Sequence, residues 1–142
     1  MTHPDRFLYK AGLGAVGSYQ VSGAPWVTGS GDGGLGVGVE HRIEFPAVAK
    51  SVTVINTDPN GGRSAADDLR VHFNSTGSGN VVGGNHFIPL YNQYQTVEIS
   101  VKCKEIYISC PGPDSGSYVV IASLTGINTN EMFELTGSGL TD

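Results

Sequence analysis

Alternation of apolar and polar residues gives this chain its character. In "TVEISVK" (96–102) Val97, Ile99 and Val101 fall on one side and Glu98, Ser100 and Lys102 on the other, while in "KSVTVINT" (50–57) Val52 and Val54 share a side. A period of two marks a β-strand with one face against a core. The same test predicts further strands at "SYQVS" (18–22), "LGVGVEHRIEF" (35–45), "DLRVHFN" (68–74), "HFIPLY" (86–91), "EIYISC" (105–110) and "SYVVIASLT" (117–125). The linking stretches "GSGDGG", "DPNGG", "STGSGN", "VVGGN" and "PGPDSG" supply the positive φ or fixed proline φ that turns need. Helical periodicity is missing except at "NEMFEL" (130–135), where one turn capped by Asn128 or Thr129 is expected.

Short strands at regular spacing, without helices between them, point to an all-β fold. The expectation is a single antiparallel β-sandwich over residues 1–142, jelly-roll-like, with about eight strands. Residues 1–25 would form an extended N-terminal arm and residues 126–142 a C-terminal tail, both docking on neighbours. Thr-Gly-Ser-Gly recurs at 28–31, 76–79 and 136–139, but the flanks differ, so these are similar joints and not a repeat.

Composition narrows the partners. The 142 residues include 21 glycines and only 15% charged side chains, against about 25% in an average soluble protein. The net charge is -5, and the 8 lysines and arginines are not grouped, which argues against a nucleic-acid partner. "MTHPDRFLYK" has no apolar stretch behind a positive start, and no run approaches a membrane span, so synthesis in a cytoplasm and no membrane partner are expected. Cys103 and Cys110 bracket a predicted strand that would hold them roughly 20 Å apart, too far for a disulfide, so both are read as free thiols.

The chain offers one conspicuous motif. "GLGAVG" (12–17) matches Gly-x-Gly-x-x-Gly, with Asp32 downstream, but the dinucleotide fingerprint requires a helix after the last glycine. The residues after Gly17 are "SYQVSGAPWV", β-branched and broken by proline, so these glycines are read as bending the backbone. No Gly-Lys-Ser/Thr loop occurs, and His3, His41, His72 and His86 lie at no zinc-ligand spacing. Asp58, Asn60, Asp67 and Asp68 crowd one loop without the order of a calcium loop, which reads as a turn. Glu40, Glu44, Glu98 and Glu105 alternate with apolar residues as outward side chains, so no catalytic carboxylate pair is assigned. No enzyme activity, cofactor or metal is expected.

Contact residues remain. Phe7, Leu8, Tyr9, Trp26, Met132 and Phe133 are candidate interface anchors, being apolar and close to chain ends. As an alternative, Trp26, Tyr91 and Tyr94 would form a stacking platform for a glycan in a carbohydrate-binding sandwich.

"FLYKAGLGAVGSYQVSGAPWVTGS", "VTVINTD", "VKCKEIYIS" and "MFELTGSGL" together resemble small virion structural proteins of marine tailed phages, particularly those infecting cyanobacteria. The resemblance implies a noncatalytic β-domain present in many copies in the virion. It would decorate or cement the capsid shell, or belong to the neck, tail or fibre. Its partners would be the major capsid protein, other virion proteins and copies of itself.

Overall fold

The computed structural model describes residues 24–59, 69–76 and 79–132. Seven strands run through them: β1 (Ala24–Gly29), β2 (Glu40–Asn56), β3 (Leu69–His72), β4 (Ile88–Leu90), β5 (Thr96–Ile99), β6 (Cys103–Ser109) and β7 (Tyr118–Leu124). Every pairing is antiparallel, in one sheet of order β1-β7-β2-β6-β3-β4, with β5 beside β2. The protein is all-β, as its alternation predicts. The strand expected at 18–22, the "GLGAVG" bend, Phe7, Leu8, Tyr9, Phe133, Asn60, Asp67 and Asp68 lie outside the described residues.

Two predicted strands, 35–45 and 50–57, prove to be one. β2 continues through Pro46, and its register shifts between Glu44 and Ala49. The buried phase changes at a second register shift, between Ala49 and Ser51: Ile43, Phe45 and Ala49 point inward before it, Val52, Val54 and Asn56 after it. A proline has no N–H to donate and is tolerated where a bulge interrupts the ladder. Glu40–Glu44 pair with β6 on one edge, whereas Ala49–Asn56 pair with β7 and Val52–Ile55 with β5. β2 is therefore shared by two half-sheets, β1-β7-β2-β5 and β2-β6-β3-β4.

Both half-sheets turn their apolar faces to one core. Val52, Val54, Val120 and Ala122 enter it from the first, and Ile43, Ile106, Ile108, Val71 and Leu90 from the second. Each such side chain stabilises the fold by roughly 1.5–3 kcal/mol. Two polar contacts cross the core as well. Asn56 Nδ2 donates to the Leu90 carbonyl at 2.9 Å, and His41 Nδ1 meets the Tyr118 hydroxyl at 2.9 Å. A satellite cluster of Val48, Ile127 and Met132 is fastened by Thr125, whose hydroxyl donates to the Val48 carbonyl at 2.7 Å.

Four local features differ from or refine the expectations. β1 forms over "APWVTG", a stretch expected to be a break. Ser30 N–H donates to the Tyr118 carbonyl, so by alternation the amide positions of Pro25, Val27 and Gly29 face the unpaired edge. Proline there costs no hydrogen bond. A single helical turn, α1 (Gly79–Val82), replaces an expected loop. At the far end a 3-10 turn spans Thr129–Glu131, overlapping the start of the turn expected at 130–135, and of the two expected caps it is Asn128 that accepts from the Asn130 N–H. Gly31 and Gly33, flanking Asp32, have φ of 74° and 67°, the left-handed backbone expected of that turn.

Candidate functional site

The two half-sheets present opposite kinds of outer face. On the second, the cross-strand rows read Glu40–Ser109–Arg70 and Arg42–Tyr107–His72, with Glu44 beside Glu105. These side chains alternate with the core residues Ile43, Ile106, Ile108 and Val71, which is why they share the outer side. On the first, the rows read Pro25–Ser123–Ser51, Val27–Ile121–Thr53 and Gly29–Val119–Ile55. The β1, β7 and β2 positions of those rows contain no ionisable side chain; β5 extends two of them on the same face, with Thr96 beside Ile55 and the exposed Glu98 beside Thr53.

The polar face carries a knot of hydrogen bonds. His72 is buried, stacked on Tyr107 with ring planes 10° apart. Its Nδ1 bonds to the Asn74 carbonyl, which can only accept, so Nδ1 carries the hydrogen. Nε2 of the neutral ring is then the acceptor for the Ser109 hydroxyl at 2.9 Å. Burial holds the His72 pKa below the ordinary histidine value, opposed by the Asn74 bond and the Glu40 charge. Glu40 Oε1 lies 3.7 Å from Nδ1.

A neutral imidazole accepting from a serine invites comparison with a nucleophile and its base. The remaining bonds give the cluster another role. Glu40 accepts from Thr76 N–H at 2.8 Å and from the Ser75 hydroxyl at 3.0 Å, and His72 donates to Asn74. Three partners thus lie in consecutive residues of the β3–β4 connection, which the cluster fastens onto the sheet. A cleft of about 200 Å³ opens alongside, with Glu40, Ser109, Val81, Phe87 and Arg70 in its walls. The Arg70 guanidinium lies 4.3 Å from the Phe87 ring centre.

Glu105 corrects the reading of outward, water-facing carboxylates. It does point away from the core, yet it is buried, because Arg42 lies across it and bonds to its carboxylate. Arg42 also reaches Glu44 at 3.2 Å. Val97, Ile99 and Val101 pack against the core while Glu98, Ser100 and Lys102 are exposed, as alternation predicts. Both cysteines are free and buried, and desolvation, with the nearby Glu105 charge, pushes the Cys103 thiol up to about 12.

The predicted contact residues are dispersed. Trp26 is half-buried at the core margin, its ring edge-on to Phe45 at 5.4 Å and 89°. Met132 is buried in the satellite cluster. Tyr91 is half-buried, and Tyr94 is 70% exposed with φ of 65°, at the turn that closes onto the end of β2 through its N–H to the Asn56 carbonyl. Trp26 stands on β1 with β7 between it and β2. Asp58 is buried and donates its N–H to Asn56 Oδ1.

The uncharged face was not singled out by sequence reasoning. Its signal was there in "VVIA" (119–122), where apolar residues occupy both sides of β7 and not one alone. Val27 is 63% and Ile121 39% exposed, and they are opposite one another at a close, non-hydrogen-bonded pair. Among the described residues no group of His, Cys, Asp or Glu is placed to hold a metal ion, and no helix is long and apolar enough to cross a membrane. No protein-family model, characterised protein or solved structure matches the chain.

Proposed function

We propose that this chain is a noncatalytic virion structural protein that decorates or cements a capsid shell, with the major capsid protein and its own copies as partners. One observation supports the contact-making part of this reading. In a protein of net charge -5, the outer side of β1, β7 and the second half of β2 has no ionisable side chain of its own, Val27 and Ile121 are open to solvent there, and the one carboxylate in register is Glu98 at the β5 margin. Two adjacent exposed apolar side chains on a sheet face with little charge are compatible with a surface that meets another surface. The virion setting rests on the resemblance carried by "FLYKAGLGAVGSYQVSGAPWVTGS", "VTVINTD", "VKCKEIYIS" and "MFELTGSGL". Purified chain added to capsids stripped of their accessory proteins tests it: co-sedimentation with the shells at saturating stoichiometry is expected, and absence of binding overturns the capsid role. A ring or trimer in solution that binds tails or necks instead would move the protein to those structures.

Glycan binding is the second reading, favoured by the exposure of Tyr94 beside Tyr91. Loss of a glycan-array signal in Tyr91→Ala and Tyr94→Ala would select it over the structural role.

A further inference from the structure

We infer that a depression at one end of the first half-sheet, walled by Asp32, Thr57, Pro59 and Gln93 and floored by Ser117 and Val119, binds one pyranose residue of a neutral sugar. It gives the glycan reading a site other than Tyr91 and Tyr94, and it does not depend on the capsid reading.

Three connections build the depression. Beyond the row Gly29–Val119–Ile55 the β2–β7 ladder runs one bond further, from the Thr57 N–H to the Ser117 carbonyl at 3.1 Å. Ser30 ties the 30–34 turn to the same strand: its N–H donates to the Tyr118 carbonyl and its hydroxyl accepts from the Tyr118 N–H, each at 3.1 Å. Gly31 and Gly33 then bend the backbone on either side of the exposed Asp32. Gln93 comes from the turn whose Tyr94 N–H bonds to the Asn56 carbonyl. The space between them is about 360 Å³, within the range of small-molecule sites, about 300–1,000 Å³.

The floor holds a polar group with nothing to bond. Val119 and Ile121 turn outward from β7 while Tyr118 and Val120 turn inward, so alternation sends the Ser117 side chain to the Val119 side, where the depression lies. Ser117 is 2% exposed, and its Oγ is buried with no hydrogen-bond partner among the described residues. A buried hydroxyl in that state is costly and rare in a folded protein. A ligand hydroxyl seated on the floor supplies the bond.

The surrounding groups select the ligand. Ser117, Thr57 and Gln93 each donate and accept, and Asp32 accepts through two oxygens. Sugar hydroxyls also do both, and neighbouring ones match a carboxylate. An anion would meet the Asp32 charge with no Lys, Arg or His among the described lining residues to offset it. An ammonium group or a metal ion wants acceptors alone, and it would find one carboxylate and the NH2 of Gln93. Pro59 and Val119 give the C–H face of a pyranose an apolar wall. A single pyranose has about a dozen non-hydrogen atoms, so a Kd of about 1–10 mM is expected.

Titration of the isotope-labelled full chain with D-glucose, D-galactose and D-mannose, followed by amide NMR shifts, tests this. At least one hexose should saturate, moving Gly31, Thr57, Gln93 and Val119 and leaving Val81 and Phe87 of the cleft beside Glu40 in place. Ser117→Ala and Asp32→Asn should each raise Kd about fivefold or more with unchanged circular dichroism. The methyl glycoside of the bound hexose identifies the source: retained binding means that the end residue of a polysaccharide fits, and lost binding means that a free sugar does. No saturable shift with any hexose up to about 100 mM, shifts confined to the cleft, or two variants that bind like the wild type overturn the inference. So does binding that Tyr91→Ala abolishes and Ser117→Ala leaves intact, which would return the sugar to the tyrosine platform. Capsid co-sedimentation separates the site from the proposed function: a chain that binds a hexose and ignores capsids removes that function and leaves this site, whereas one that coats capsids and binds no hexose does the reverse.

Discussion

Asn56 is the place where a single substitution should do the most informative damage. It lies at the end of β2, 1% exposed, on the inward side next to Val52 and Val54. Its amide spans the two half-sheets: Nδ2 donates to the Leu90 carbonyl at the end of β4, and Oδ1 accepts the Asp58 N–H, each at 2.9 Å. Asn56→Ala deletes both bonds and leaves a buried carbonyl and a buried N–H unsatisfied. Each orphaned group costs about 1–3 kcal/mol, so the loss for the two should be about 2–6 kcal/mol. A domain of this size has roughly 5–15 kcal/mol in total, and 1 kcal/mol moves Tm by about 3–5 °C, so urea or thermal unfolding resolves the effect easily. Asn56→Asp sharpens the test. Its carboxylate still accepts from Asp58 but cannot donate to Leu90, so at pH 7 it should be no more stable than the alanine variant. Protonation restores a donor, so Asn56→Asp should regain stability relative to Asn56→Ala as pH falls through the raised folded pKa of the new carboxyl. A loss under about 0.5 kcal/mol for Asn56→Ala, or an aspartate variant as stable as wild type at pH 7, refutes the idea that this amide joins the halves.

Other substitutions probe other parts of the molecule. A Cβ on Gly34 would sit 1.8 Å from the Ser30 carbonyl oxygen, so Gly34→Ala should open the 30–34 turn and cost more than about 2 kcal/mol in urea unfolding. The His72 pKa is lowered in the folded state, so its contribution is present above about pH 6.5 and is lost as pH falls through the folded value; His72→Gln should flatten part of the decline in Tm between pH 7 and 5. With its pKa pushed up to about 12, Cys103 should resist iodoacetamide at pH 8 in the native protein and alkylate promptly in urea, as read by peptide mass spectrometry.

The strands from β3 to β7 were legible because their inward residues repeat every second position, a property of local sequence. β2 reads as two strands because the alternation lapses between Phe45 and Lys50; that the strand continues through Pro46 depends on partners in β6 and β7, far along the chain. β1 was hidden because Pro25 is compatible with a strand only when that strand is an edge. The Glu40–His72–Ser109 cluster was out of reach of spacing rules, its members lying in three separate strands that the fold sets side by side. Glu105 obeyed alternation in direction but not in exposure, because alternation says which way a side chain points and nothing about what lies across it.

The double duty of β2 means that neither half-sheet can be cut free. Each takes its central rail from the same 17 residues, and the rail changes the phase of its inward residues between Ala49 and Ser51. A fragment ending before Pro46 lacks the strand that β7 needs, and one beginning after it lacks the strand that β6 needs. Among the described residues, the two half-sheets are therefore bound into one unit by a strand that neither can give up.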